Sequence, residues 1–174
     1  MSGLLNTLGG SKATLWSYFR SKEQLFAAVL EPAISSMRVD LEHSLESRDS
    51  IEAVVADFCR RFMETNDQPE SLGLWRLIAA EGGRYPAVGR IFRENVVSVT
   101  EDALAIYFQR AVESGILRRE DSHRMARVLL SMCISRLNHQ LWSDPNGGSQ
   151  VSIEDEAAWL TTIFFRAFAA ENYR

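Results

Sequence analysis

Residues 11–26 read Ser-Lys-Ala-Thr-Leu-Trp-Ser-Tyr-Phe-Arg-Ser-Lys-Glu-Gln-Leu-Phe, and this run decides the fold. It contains a short helix, a break and the opening of a second helix. Ser11 stands where an N-cap belongs, because its hydroxyl can accept from a free N–H of the first turn. The helix it opens carries Lys12, Thr14, Ser17 and Tyr18 on one side and Leu15 and Phe19 on the other, a polar face opposite an apolar one. Ser21, followed three residues later by Gln24, is a capping-box pattern for the next helix. A lone Lys-x-Thr would indicate only a helical hairpin with solvated side chains. The aromatic positions, the capping box and the apolar pair Leu25 and Phe26 narrow that reading.

In these features the run resembles the recognition helix and following helix start of the TetR family of one-component bacterial transcriptional regulators. The resemblance implies an all-α protein, with a helix-turn-helix reader ahead of a helical-bundle domain that binds a ligand and dimerises. It implies double-stranded operator DNA as a partner and Lys12, Ala13, Thr14, Trp16, Ser17, Tyr18 and Lys22 as DNA-contacting residues. Their chemistry is suitable. Ala13 lets the backbone approach the groove, Thr14, Trp16 and Ser17 can reach base edges, and Lys12, Tyr18 and Lys22 can hold phosphates. Lys22 also falls in a first helical turn, whose free N–H groups favour an anion.

The family places two helices before this segment, whereas Met1 to Gly10 leave room for only two turns before Gly9-Gly10, at about 1.5 Å of rise per residue. The expectation is an incomplete reader over residues 1–30, with a recognition helix at about 11–18, followed by a ligand-binding and dimerisation domain over 31–174. The functional expectation is a repressor that leaves its operator when a small hydrophobic or amphipathic effector binds. The alternative is an N-terminally truncated, dimeric helical protein that does not bind DNA and acts through protein partners or ligand only.

The 174 residues are 46% hydrophobic, enough for one core or one core with a small appendage. The net charge of −4 divides unevenly: Lys12, Arg20 and Lys22 against Glu23 make residues 1–26 carry +2 and the remainder −6. That is the balance of a small basic reader on an acidic body. The sequence contains no membrane-spanning run and no signal-peptide pattern, so a cytoplasmic protein is expected. Cys59 and Cys133 fall within helical apolar patterns and read as buried thiols in a reducing compartment, with a redox pair as the alternative.

From Ser21 onward the periodicity is helical. A first helix is expected at about 21–46 with a bend at Pro32, and a second at about 50–66 beneath an Asp49 or Ser50 cap. The second presents Ile51, Val54, Val55, Phe58 and Phe62 as a stripe. Gln68-Pro69-Glu70 starts a helix that ends at Gly82-Gly83, and Pro86 starts another. Val97 to Glu113 is helical until Gly115, residues 116–122 form a polar connector, and helices at about 123–142 and 153–172 flank the turn-rich 144–148.

The last two helices carry apolar residues on more than one face, which requires two burying surfaces. Either both are central in a monomeric core, or they pair with a second copy as a four-helix bundle. The resemblance favours a homodimer, with Leu129, Cys133, Leu137, Trp159, Ile163, Phe164 and Phe168 at the interface. Phe58, Phe62, Trp75, Ile78, Tyr85, Phe92, Tyr107, Phe108 and Met132 read on spacing alone as core. Because the family keeps its small-molecule site in this bundle, the same residues are candidates for a ligand cavity. Arg76, Glu81, Arg136 and His139 are candidates for its polar end. The stretch Arg76 to Pro86 also resembles the body of AefR-like and AcrR-like regulators.

Nothing points to catalysis. His43, His123 and His139 lack partners at metal-ligand spacing, so no metal or cofactor is expected. Gly-x-Ser-x-Gly and phosphate-loop patterns are absent, and Cys133 and His139 lie on different faces of one helix.

Overall fold

The computed structural model describes residues 18–45, 49–142 and 151–173. The recognition-helix assignment and the expected contacts Lys12, Ala13, Thr14, Trp16 and Ser17 lie outside the described residues, as does the Lys22 side chain.

Helix α1 (Lys22–Leu45) begins at the expected capping box. The Gln24 N–H donates to Ser21 Oγ at 3.2 Å. The returning Gln24 Oε1 accepts from the Arg20 N–H at 2.9 Å, one residue before the cap. The helical assignment continues through Pro32. Helix α2 (Ile51–Asp67) is capped by Ser50, whose hydroxyl accepts from the Ala53 N–H at 3.3 Å. Its buried face runs from Ile51 through Val54, Val55, Phe58, Cys59 and Met63 to Asn66. Helix α3 (Pro69–Gly82) opens with Pro at its first position, where the missing N–H leaves no bond unmade. It contains no fully buried residue.

Pro86 starts α4 (Pro86–Phe92), which passes without a break through a π-helical segment, Arg93–Val97, into α5 (Ser98–Glu113). The sequence pattern separates these pieces, whereas the backbone joins them with one wide turn. After α5, Gly115 takes φ 75°, a left-handed conformation suited to a residue without Cβ. Helices α6 (Ser122–Trp142) and α7 (Ile153–Phe168) complete the chain.

Helix α7 ends at Phe168 rather than near 172. The chain extends there instead and forms an isolated antiparallel bridge between Leu117 and Ala169. The Arg118 N–H donates to the Phe168 carbonyl at 2.9 Å, and the Ala170 N–H to that of Ile116 at 3.0 Å. The 116–122 connector is therefore not wholly polar, since Leu117 is 1% exposed and belongs to the core.

Helix α5 packs along α6, and α2 against α7 and α1. The larger core joins Val55, Phe58, Met63, Leu104, Phe108, Met125, Leu129 and Phe164. A smaller one joins Phe26, Leu30 and Ile34 of α1 to Val88 and Phe92 of α4. The fold is all-α, and no described helix is long and apolar enough to cross a membrane.

Candidate functional site

A cavity of about 60 Å³ lies where the two cores meet. Leu30 closes it from α1, Phe62, Thr65 and Asn66 from α2, and Ser71, Leu74 and Trp75 from α3. Phe92, Val96, Val97 and Thr100 come from the continuous α4–π–α5 rod, and Leu130 and Ile134 from α6. Among the described residues the lining contains no charged side chain.

Three expected aromatics converge here. Trp75 meets Phe92 edge-on, with ring centroids 4.8 Å apart and planes at 73°. Phe62, the last member of the α2 stripe, packs against the larger core and also lines the cavity, 5.9 Å from Phe58, ring centre to ring centre.

The other six expected ligand residues do not line it. Phe58 and Phe108 are 4% and 0% exposed in the larger core, with Phe108 packed 4.9 Å from Phe164. Tyr107 and Met132 pack around that core, and Ile78 and Tyr85 around the smaller one. Burial, with Glu52 and Tyr173 nearby, pushes the Tyr107 phenol above its ordinary pKa. Large aromatic or aliphatic character alone marked these positions, but a helix has several inward-facing sides and only one of them meets this space.

The charged candidates for a polar end are elsewhere too. Arg76 and His139 are exposed and Glu81 is half-buried outside the lining. Arg136 ties α6 to the end of α2, its Nη2 and Nε donating to Asp67 Oδ2 at 3.1 and 3.2 Å and its Nη1 to the Val151 carbonyl at 3.0 Å. Gln140 completes that junction by donating to Asp67 Oδ1 at 2.9 Å.

The polar groups at the cavity are uncharged. Trp75 Nε1–H donates to Asn66 Oδ1 at 2.6 Å, and Asn66 Nδ2 donates back to the Phe62 carbonyl at 2.7 Å. Thr100 Oγ1, in the first turn of α5, donates to the Val96 carbonyl of the π-helical segment at 2.9 Å. Sequence reasoning missed the other ten lining residues: Leu30, Thr65, Asn66, Ser71, Leu74, Val96, Val97, Thr100, Leu130 and Ile134. A polar residue near a helix end normally signals solvent, so Asn66 and Thr100 gave no sign of burial.

The expected interface residues divide in two. Leu129, Cys133, Leu137 and Phe164 are 0–2% exposed inside the chain's own core and have no surface to offer a partner. The second apolar face of α6 is consumed by α2 and α5, which flank it. Trp159 is 59% exposed, Ile163 and Phe168 are half-buried, and Val128 adds an exposed apolar side chain on α6. On the reader side, Tyr18 is 78% exposed, just ahead of the α1 cap.

Residues 53–170 match the family described as AefR-like transcriptional repressor, C-terminal domain. Among solved structures, a TetR-family transcriptional regulator from Mesorhizobium loti superposes with a TM-score of 0.78 at 24% identity, covering 95% of this chain and 84% of that one. The flavonoid-responsive regulator FrrA is similar at TM-score 0.71 and 27% identity, covering 98% and 87%. The ketosteroid transcriptional regulator KstR2 of Mycobacterium tuberculosis shares the fold at TM-score 0.67 and 14% identity, covering 96% and 83%. Among curated proteins none matches significantly. The fold and the family match together define a transcriptional regulator of the TetR class, not an enzyme. The chain belongs to the AefR-like branch of that family through its C-terminal domain.

Proposed function

We propose that this protein is a homodimeric, effector-released DNA-binding repressor. Operator recognition rests on residues 11–18 and on Lys22, and release on an effector in the cavity between α1, α2, α3, α5 and α6. The observation that carries this reading is the double role of α1. Its N-terminus is the capping box directly after the recognition segment, and Leu30, two turns further on, is fully buried at the cavity wall.

An effector that displaces Leu30 would shift the helix that bears the reader. In a dimer, two recognition helices must meet successive major grooves about 34 Å apart, so a small rotation of α1 costs operator affinity. The apolar lining favours a hydrophobic effector. FrrA, similar over nearly this whole chain, is a flavonoid-responsive regulator, which supports a ring-bearing one. The exposed Trp159 and Val128, with Ile163 beside them, supply the apolar surface for pairing α6 and α7 with a second copy.

The test is fluorescence anisotropy of labelled DNA from the gene's own upstream region, titrated with this chain and with one extended by any in-frame upstream codons. Saturable binding that weakens steeply with salt and is reduced by Lys22→Ala supports the reading. Failure of both proteins to bind that DNA above a scrambled control contradicts it.

A further inference from the structure

Asn66 is 8% exposed, yet its amide is engaged at both ends. The Phe62 carbonyl requires a donor and the Trp75 indole requires an acceptor, so the two partners fix which end is Nδ2 and which is Oδ1. The Trp75 contact is a tether as well as a hydrogen bond. It holds α3, a helix without a fully buried residue, against the cavity through Asn66, with the T-shaped contact between Trp75 and Phe92 beside it.

The cavity volume of about 60 Å³ is less than half of the roughly 150 Å³ that accommodates a benzene ring. A ring-bearing molecule therefore enters only if a wall yields, and α3 is the wall with the least buried anchorage. The described lining residues offer no partner for a formal charge, so a carboxylate or ammonium would be desolvated among them without compensation.

We infer that the effector is an uncharged aromatic molecule carrying a hydroxyl or N–H donor, and that Asn66 selects it. The donor replaces Trp75 Nε1–H on Asn66 Oδ1, and Trp75 swings outward with α3 to make room for the ring. The released indole N–H is satisfied by water, since Trp75 is only half-buried. This inference rests on the reading of the cavity as the effector site.

The test is calorimetric titration of the full chain with 2-naphthol, its methyl ether and 2-naphthoate, which share a ring system and differ in donor and charge. Wild-type protein is expected to bind 2-naphthol about three- to tenfold more tightly than the ether, the worth of one hydrogen bond, and to reject 2-naphthoate. Trp75→Phe removes the bond that either ligand must break and keeps a ring, so it should tighten 2-naphthol and the ether by a similar factor and preserve the ratio between them. If Trp75→Phe does not fold, the indole N–H resonance of Trp75 in wild-type protein provides the second measurement. It should move to a water-exposed shift as 2-naphthol binds, and an indole N–H that stays in place while 2-naphthol binds overturns the inference. Equal affinity for 2-naphthol and its ether, or tight binding of 2-naphthoate, overturns the inference and leaves the cavity standing as an effector site. Heat from none of the three overturns both.

Discussion

Cys133 Sγ donates a hydrogen bond to Cys59 Sγ at 3.5 Å, joining α6 to α2 across 74 residues of sequence. Both thiols are buried, at 1% and 0% exposure. The bond to Cys59 and then burial push the Cys133 thiol well above its ordinary pKa. The thiolate is the reactive form, so Cys133 should be inert while the fold holds. In native protein at pH 8, Ellman's reagent should react slowly, and both cysteines should titrate at once in guanidinium. Fast stoichiometric labelling of folded protein would contradict this packing.

Asp57 joins α2 to α1. It accepts from Ser44 Oγ at 2.9 Å and Arg61 Nε at 2.8 Å, and pairs with Arg60. Burial acts to raise its pKa, but the hydrogen bonds from Arg61, Arg60 and Ser44 outweigh burial and leave it below 3.8. A folded value below the unfolded one means that the stabilisation is fully present above the unfolded value and is lost as pH falls through the folded one. At a one-third exposed site, Asp57→Asn should cost about 1 kcal/mol or less at pH 7, and the difference should shrink toward zero at an acid pH below the folded value. Paired urea melts at the two pH values check the sign.

Gly115 ends α5 with φ 75°, and a Cβ added there would meet nothing within 4 Å. Gly115→Ala should therefore cost only backbone strain, about 1–2 kcal/mol, with no steric clash. A thermal melt of the variant should show a lowered midpoint with unchanged helicity. An unchanged midpoint would mean that this turn is not left-handed.

Leu129 and Trp159 separate folding from assembly. Leu129→Ala removes fully buried core and should destabilise the chain by about 2–5 kcal/mol. Trp159→Glu alters a 59% exposed side chain and should shift sedimentation from dimer to monomer, leaving a melt that no longer depends on protein concentration. If Trp159→Glu sediments as wild type, the proposed pairing through α7 is wrong.

The helices were legible because their ends are written in local chemistry. Ser21 with Gln24, Ser50, Pro69, Pro86 and Gly115 act within a turn of themselves, whatever the rest of the chain does. The cavity was legible only in part. Trp75, Phe92 and Phe62 were visible as large apolar side chains, but their convergence depends on how α3 and the α4–α5 rod cross α2. Asn66 and Thr100 were not visible, because their burial is set by distant helices and their polarity suggests solvent. The π-helical turn at Arg93–Val97 has no compositional signature, so the joined rod read as two pieces with a gap. Spacing likewise gave α6 two apolar faces correctly, but could not tell that neighbours within the same chain cover Leu129, Cys133 and Leu137.

The central claim is that occupancy of the cavity is transmitted to the reader through Leu30. It is tested most directly by measuring operator anisotropy for wild-type protein and Leu30→Val as 2-naphthol is added. The substitution removes one buried methylene, at about 1 kcal/mol of stability, so α1 should remain folded. The account predicts that wild type releases DNA as the cavity fills, whereas Leu30→Val binds the same ligand by calorimetry and holds DNA to markedly higher ligand concentration. Identical release curves for the two proteins, or wild-type DNA binding indifferent to bound ligand, would contradict it.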